Sequence, residues 1–194
     1  MNRLRRVSRS LLSFSVFPPR RVPPGRQTAI DQECLAAFQR EVDYIYRTLL
    51  RLGADPSDVD DLVQEVFLAL RRSWPDYDAT RPLRPYLFGI GFRIVAGYRR
   101  KRRREIAYGF LEIDDESPGP EEALDAKEAR VLLFKALERI PLPRRAVLIM
   151  HELDDVPVAE IAKVLSIPLF TVYSRLRKAR RELQAAGRRL AGET

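Results

Sequence analysis

Apolar and polar positions follow helical spacing along most of the chain. Apolar side chains recur at every third or fourth position in five stretches, which predict helices over residues 31–53, 59–73, 86–105, 121–140 and 144–153. No stretch shows a strand pattern that competes with this one. An acidic stretch containing Pro118-Gly119-Pro120 divides the series and has the composition of a linker. The pattern predicts an all-α fold with two small helical domains joined by a flexible acidic linker.

A further pair of amphipathic helices is predicted between Pro157 and Leu183. Its inner apolar positions are Val158, Ile161, Ala162 and Leu165 in the first helix and Val172, Leu176, Ala179 and Leu183 in the second. Pro168 has no N–H and disfavours a helical conformation in the residue before it, so the first helix is expected to end near Leu165. The outer positions of the second helix are rich in Arg, Lys, Ser, Thr and Tyr, which bind guanine edges and phosphates. This pattern predicts a DNA-binding helix-turn-helix in the second domain, and the alternative is a helical hairpin with a solvated basic face.

Charged residues are gathered into blocks of one sign. The net charge is +8, and residues 1–30 contribute seven arginines and no acid. Residues 93–104 hold seven basic residues, 105–130 hold nine acids, and 171–189 hold seven basic residues beside Glu182. Such blocks predict two basic surfaces with an acidic spacer, as in a nucleic-acid-binding protein. The predicted organisation is a disordered basic leader over 1–27, a first domain over 28–108, a linker over 109–122 and a second domain over 123–190.

The second predicted helix has two different faces. Leu62, Val63, Val66, Phe67 and Leu70 form a wide apolar stripe that is expected to be buried. The opposite face carries Asp61, Gln64, Glu65 and Leu68 at helical spacing. A leucine among polar and acidic residues is a common way to dock a partner helix, and the alternative is a solvated acidic face with one exposed leucine.

The helix over 86–105 combines arginines with aromatic residues. Trp74 and Tyr77 precede it, and Tyr86, Phe88 and Phe92 lie on it. Aromatic faces stack on unpaired bases while arginines hold the backbone, so this combination favours single-stranded or opened DNA. The alternative, which is stronger for Trp74 and Phe88, is that the rings belong to the core.

Candidate residues for other chemistry are few. Cys34 is the only cysteine and His151 the only histidine, which excludes an intrachain disulfide, makes a zinc site implausible and favours a reducing compartment such as the cytoplasm. Asp58, Asp60 and Asp61 are the one carboxylate cluster that a metal-dependent nuclease would use, yet they also suit the start of a helix. We expect no enzyme activity, no metal and no cofactor. No apolar run approaches the roughly 20 residues of a membrane span, so no membrane insertion is expected.

Three segments together resemble bacterial RNA polymerase sigma factors. D-L-V-Q-E-V-F-L at 61–68 resembles their core-polymerase-binding helix, and R-P-Y-L-F-G-I-G-F-R at 84–93 resembles their promoter-melting segment. E-I-A-K-V-L at 160–165 with T-V-Y-S-R-L-R-K-A-R at 171–180 resembles their minus-35-binding helix-turn-helix. Two such regions with a short linker, over about residues 31–190, match the small extracytoplasmic-function group.

The resemblance implies a role for each surface. Asp61, Gln64, Glu65 and Leu68 would dock on the clamp coiled coil of core RNA polymerase. The residues implied at the minus-10 element, in single-stranded DNA, are Trp74, Tyr77, Arg81, Arg84, Phe92, Arg93, Arg99 and Arg100. The residues implied at the duplex minus-35 element are Phe170, Thr171, Tyr173, Ser174, Arg175, Arg177 and Lys178. An anti-sigma factor is a further implied partner, and a stand-alone helix-turn-helix regulator is the alternative function.

Four positions depart from the pattern of these sigma factors. Tyr86 stands where Trp is usual, Arg93 where Asn is frequent and Gly97 where Asp is common. Phe170 replaces a small residue at the start of the recognition helix.

Overall fold

The computed structural model describes residues 24–107 and 124–192, with side chains described for 31–104 and 131–190. Those two ranges contain α-helices, a 3-10 turn and a π turn, and no strand, which confirms the all-α prediction. The helices are α1 Pro24–Leu52, α2 Val59–Ser73, α3 Leu83–Ala107, α4 Leu124–Glu138, α5 Leu142–Leu148, α6 Val158–Val164 and α7 Leu169–Gly192. The 3-10 turn is Trp74–Asp76, and the π turn is Ile149–Leu153.

The first bundle consists of α1, α2 and α3. Its core forms because each helix turns an apolar stripe inward, as Leu49, Val66 and Phe88 illustrate with fully buried side chains. Helix α1 begins at Pro24, earlier than predicted, so the last four positions of the predicted leader are helical and the rest of it lies outside the described residues. Leu35, Val42 and Tyr46 share the apolar periodicity of α1, yet their side chains are exposed on its outer side.

Helix α1 ends in a tight glycine turn at Gly53. Gly53 has φ 96°, in the left-handed region that glycine adopts without a Cβ penalty. Its N–H donates to the Leu50 carbonyl, and the Ala54 N–H donates to the Leu49 carbonyl. These two bonds are the Schellman pattern that satisfies helix-terminal carbonyls. Helix α2 then starts after Asp58 without a side-chain cap, and in the turn before it the Asp55 carboxylate accepts from the N–H and the hydroxyl of Ser57.

The second bundle consists of α4 to α7. Helix α6 ends as predicted near Leu165, but the chain turns at Ser166, whose φ is 52°. The Ile167 N–H donates to the Ala162 carbonyl and the Ser166 N–H to the Lys163 carbonyl, again in the Schellman pattern. Pro168 then caps α7, where the Thr171 N–H donates to its carbonyl. The helix-turn-helix is thus present, with its break set by Ser166.

The two bundles pack directly on each other. Helix α3 lies against α6, and α1 lies against α4 and α5. Buried residues of both bundles form one continuous cluster. The predicted linker over 109–122 lies outside the described residues. Two helical units are therefore present as expected, and they share a core, which the prediction of two separate domains did not anticipate.

Candidate functional site

The acidic face of α2 is open to solvent. Asp61, Gln64, Glu65 and Leu68 are all exposed, and Leu68 keeps 45% of its surface accessible. The opposite side of the helix is buried through Leu62, Val66 and Leu70, so the helix is fixed by the core while this face is presented outward. These four residues are called the docking face below.

An apolar groove runs beside the docking face, between α1 and α2. It has a volume of about 260 Å³. The residues that line it are Leu35, Phe38, Gln39, Val42, Val63, Gln64 and Phe67. The exposed α1 side chains of Leu35 and Val42 therefore add apolar surface beside the docking face of α2. Sequence periodicity did not reveal this extension, because apolar spacing alone does not tell which positions of α1 stay exposed.

Three aromatic rings form a stack at the junction of α2, the 3-10 turn and α3. The ring centroids of Trp74 and Tyr77 are 5.2 Å apart at 21°, and those of Tyr77 and Tyr86 are 5.0 Å apart at 41°. The Tyr77 hydroxyl donates to the Arg81 carbonyl, which fixes the loop before α3. Phe88 is fully buried, so it belongs to the core, which was the alternative to base stacking for this ring. Partly exposed aromatic faces held in this way are suited to stacking on bases.

The predicted minus-10 arginines do not form one free patch. The Arg81 guanidinium pairs with the Glu160 carboxylate of α6 at 2.6 Å. Arg84 donates to the Glu41 carboxylate at 2.8 Å and lies over the Tyr44 ring, 5.2 Å from its centroid.

The remaining members of that predicted set are also dispersed. The Arg99 side chain turns inward and donates to the Leu52 carbonyl at 3.3 Å, and burial lowers its pKa. Arg93 and Arg100 have exposed side chains on α3, and Phe92 is half-buried against the core. The structure thus brings the aromatic residues together and spreads the arginines along α3.

The outer face of α7 presents the predicted minus-35 residues. Phe170, Tyr173 and Arg177 share one side of the helix, and 76% of Phe170 and 56% of Tyr173 are accessible. Lys178 is exposed as well, whereas Thr171, Ser174 and Arg175 are half-buried. Burial, followed by the nearby Arg144 charge, lowers the pKa of Arg175.

The recognition helix is braced by ion pairs within its own bundle. Arg144 of α5 binds Glu182 of α7 through two hydrogen bonds of 2.8 and 2.6 Å. Arg180 of α7 binds Glu152 of the π turn at 2.6 Å. Because Arg180 is engaged in this way, the basic charge on the predicted DNA-binding face of α7 comes from its other basic positions.

The contact between the bundles contains a fully buried arginine. Arg145 of α5 donates to the Leu52 carbonyl at 3.0 Å and to the Ile140 carbonyl at 3.2 Å. Burial, followed by repulsion from Arg99, lowers the Arg145 pKa to about 10. A Cβ at Gly53 would lie 2.3 Å from the Arg99 guanidinium and 2.5 Å from that of Arg145. Gly53 therefore both turns the chain and makes room for the two arginines.

A second polar contact joins the bundles at Asp154. Its carboxylate accepts from the Tyr44 hydroxyl at 2.7 Å and lies 3.9 Å from the Arg51 guanidinium. Burial, the largest effect, raises the Asp154 pKa, while Tyr44, Arg51 and Arg84 oppose the rise and Asp155 adds to it. Sequence patterns gave no signal for this pairing, because its partners are 110 positions apart.

Of the three aspartates considered as metal ligands, Asp58 is engaged in a contact with α3, as is the nearby Asp55. The Asp58 carboxylate accepts from the Tyr98 hydroxyl at 2.7 Å, and Asp55 pairs with Arg102 at 2.7 Å. These contacts tie the α1–α2 turn to α3. Across the described ranges there is no cluster of metal-ligating side chains. No helix in them is long and apolar enough to cross a membrane.

Two family models match the two bundles. Residues 37–105 match sigma-70 region 2, and residues 130–183 match sigma-70 region 4. The RNA polymerase sigma factor NccH of Alcaligenes xylosoxydans xylosoxydans is 31% identical over 172 residues, which cover 86% of this chain and 90% of that protein. The ECF RNA polymerase sigma factor SigL of Mycobacterium tuberculosis is 31% identical over 157 residues, covering 77% of this chain and 85% of that one.

Solved structures agree on the fold. One is CnrH in complex with the cytosolic domain of CnrY, with 23% identity, a TM-score of 0.58 and coverage of 82% of this chain and 92% of that one. Another is RpoE of Bartonella quintana in complex with the anti-sigma factor NepR, with 22% identity, a TM-score of 0.63 and coverage of 82% and 96%.

The chain belongs to the sigma-70 family of RNA polymerase sigma factors, and within it to the extracytoplasmic-function group. Such a factor binds core RNA polymerase and promoter DNA and directs transcription initiation. The first bundle is its region 2 and the second bundle its region 4.

Proposed function

We propose that this sigma factor grips polymerase through the docking face and promoter DNA through two further surfaces. The minus-10 strand would meet the aromatic stack and the arginines of α3, and the minus-35 duplex would meet α7. The observation that carries the proposal is that the docking face lies exposed on a helix whose other side is locked in the core.

The chemistry of the docking face suits a helical partner with apolar and basic side chains. Leu68 supplies an accessible apolar centre, and Asp61 and Glu65 supply negative charge around it. The groove beside Gln64 offers further apolar surface for a second side chain. Burial of an exposed leucine by a partner contributes on the order of 1 kcal/mol, and charge complementarity mainly speeds and orients the encounter. The coiled coil of the polymerase clamp is the helical partner that we propose for this face.

The docking assignment is tested by Leu68→Arg, with Leu132→Arg as the matched control. Both leucines are similarly exposed, at 45% and 42%, but Leu132 lies on α4 of region 4. We expect Leu68→Arg to abolish co-purification with core polymerase while the circular dichroism spectrum stays unchanged. The control variant should bind normally. Equal polymerase binding by the two variants would refute the docking face.

The exposed side of α7 supports the minus-35 assignment. A recognition helix enters the major groove with its N-terminal residues near base edges, and Phe170 and Tyr173 lie in the first turns of α7. Arg177 is free of the burial that constrains Arg175, so it is the better candidate for a bidentate contact to guanine. Ser174 and Lys178 are placed to bind phosphates on either side.

The aromatic stack supports the minus-10 assignment. Trp74, Tyr77 and Tyr86 offer ring faces that do not depend on base identity, and stacking is worth about 1–3 kcal/mol per base. Tyr86 is part of this stack although Trp is usual there among these sigma factors. Extraction of a base from the duplex costs a few kcal/mol, which such stacking offsets.

The remaining parts of the proposal follow from the family. We infer that the factor acts in the cytoplasm, where its polymerase resides, and catalyses no reaction itself. An anti-sigma factor is a proposed partner, since the two solved relatives above are held in complexes with CnrY and NepR.

A further inference from the structure

An apolar patch lies uncovered at the start of the recognition helix α7. Leu169, Phe170 and Tyr173 are all exposed there, and the 76% accessibility of Phe170 is the largest among the exposed apolar side chains of the described ranges. Val172 and Leu176, on the opposite side of the helix, are buried and hold α7 against its bundle. The two rings are therefore fixed in an outward direction by a core to which they do not belong.

Neither ring has an aromatic neighbour. Within the described ranges, ring contacts join Phe38 to Phe67 and link the members of the aromatic stack, and none of these contacts involves Phe170 or Tyr173. A contiguous apolar patch with a polar rim is typical of a binding surface. The patch is thus open to a ligand that carries an apolar group.

The charge around the patch favours DNA as that ligand. Arg177 and Lys178, in the following turns of α7, are exposed and positively charged. Glu182 is the single acid among residues 171–189, and Arg144 binds its carboxylate. The phosphates on the two sides of a DNA groove complement such a surface. The apolar group is therefore to be sought inside the major groove that α7 would enter.

The C5 methyl group of thymine is the apolar feature that a major groove offers. The other three bases present only hydrogen-bond donors and acceptors there, whereas thymine adds a methyl group that phenylalanine contacts. Side chains three positions apart on a helix have Cβ atoms about 5–6 Å apart, so Phe170 and Tyr173 can bound one methyl group from two sides. Arg177, two turns after Phe170 on the same side, remains available for a guanine edge.

We propose that Phe170, with Tyr173 beside it, reads the methyl group of a thymine in the minus-35 element. The inference rests on the proposed role of α7 and deepens it, because it names the base feature that selects the promoter and the residue that determines this specificity. The sigma factors that the chain resembles usually carry a small residue at the position of Phe170, so the contact is particular to this chain.

Deoxyuridine tests the contact, because it pairs as thymidine does and lacks only the methyl group. The minus-35 element is first defined by transcript mapping after overexpression of the factor. Each thymine of that element, on either strand, is then replaced in turn by deoxyuridine, and promoter binding by the reconstituted holoenzyme is measured. We expect one thymine at which the replacement weakens binding about four-fold, the change that corresponds to the burial of a single methyl group.

The variant Phe170→Ala links this preference to the side chain. It should bind the thymine and deoxyuridine promoters equally, with an unchanged circular dichroism spectrum because the ring supports no core contact. The matched control is Leu132→Ala, since Leu132 is an exposed apolar side chain of region 4 that lies on α4, outside the recognition helix. The control holoenzyme should keep the four-fold preference.

Three results would overturn the methyl contact. A minus-35 element without thymine, or one in which no deoxyuridine weakens binding, would remove the contact and leave the assignment of α7 to the minus-35 duplex intact. A four-fold preference that survives in Phe170→Ala would belong to another residue. Loss of core-polymerase binding by Phe170→Ala in the absence of DNA would show that the patch is a protein interface.

Discussion

Replacement of Arg145 by alanine is expected to weaken the union of the two regions. The variant loses two hydrogen bonds from a charged donor, to the carbonyls of Leu52 and Ile140, worth about 1.5–3 kcal/mol each. The variant also removes the free-energy cost of burying the charged guanidinium group. The fall of the Arg145 pKa to about 10 corresponds to roughly 3 kcal/mol.

The third contribution to the stability change is the cavity that the truncated Arg145 side chain leaves in the core. Truncation of a fully buried arginine to alanine opens a cavity, and large-to-small changes in a core cost about 2–5 kcal/mol. Together the three contributions give an expected loss of about 2–8 kcal/mol, a large part of the stability of a small protein. Arg145→Met retains most of the volume and carries no charge, so it should lose about 1 kcal/mol or less.

Urea unfolding followed by two probes measures both the loss and its location. Trp74 is the only tryptophan, so its fluorescence reports region 2, whereas far-ultraviolet circular dichroism reports both regions. We expect the two transitions to coincide in the wild type and to separate in Arg145→Ala. Coincident transitions with a loss below about 1 kcal/mol would refute the assignment of Arg145 as the link between the regions.

Three further outcomes are expected. Ser166→Gly should raise the unfolding free energy by about 0.5–1 kcal/mol in thermal melts, because φ at this turn is left-handed; a lower melting temperature would contradict the turn geometry. Arg177→Ala should weaken binding to the minus-35 duplex by about 1–3 kcal/mol, and an equal loss on unrelated duplexes would show a phosphate contact instead. The raised pKa of Asp154 means that the folded chain binds this proton more tightly than the unfolded chain. Its stabilising contribution is therefore fully present below the ordinary carboxyl pKa of about 4 and is lost as pH rises through the raised pKa of the folded chain, so Asp154→Asn should flatten the stability profile above about pH 4. An unchanged profile would exclude Asp154 as its cause.

Local patterns predicted the helices of this protein well. Helix α2 was predicted with its observed bounds, and α6 and α7 were placed with the correct turn between them, because periodicity and Pro168 act within a few residues. The outward direction of the docking face also followed from the buried stripe on the other side of α2. These features depend on the neighbours of each residue along the chain.

The contact between the regions could not be predicted from the same patterns. Arg145 has the appearance of a surface arginine in sequence, and its burial arises only because α5 meets the end of α1. The exposure of Leu35 and Val42 likewise reflects how α1 sits against α2, which a count of apolar positions does not determine. The assignment of Arg81 to DNA stays a prediction, and local patterns gave no sign of its partner Glu160, which is 79 positions away.

The docking face and the groove beside it stay open while α6 lies across α3. Under the proposed docking, capture by polymerase therefore needs no prior rearrangement of the factor. The core shared by the two regions stays intact during this first contact, so the encounter costs no unfolding free energy.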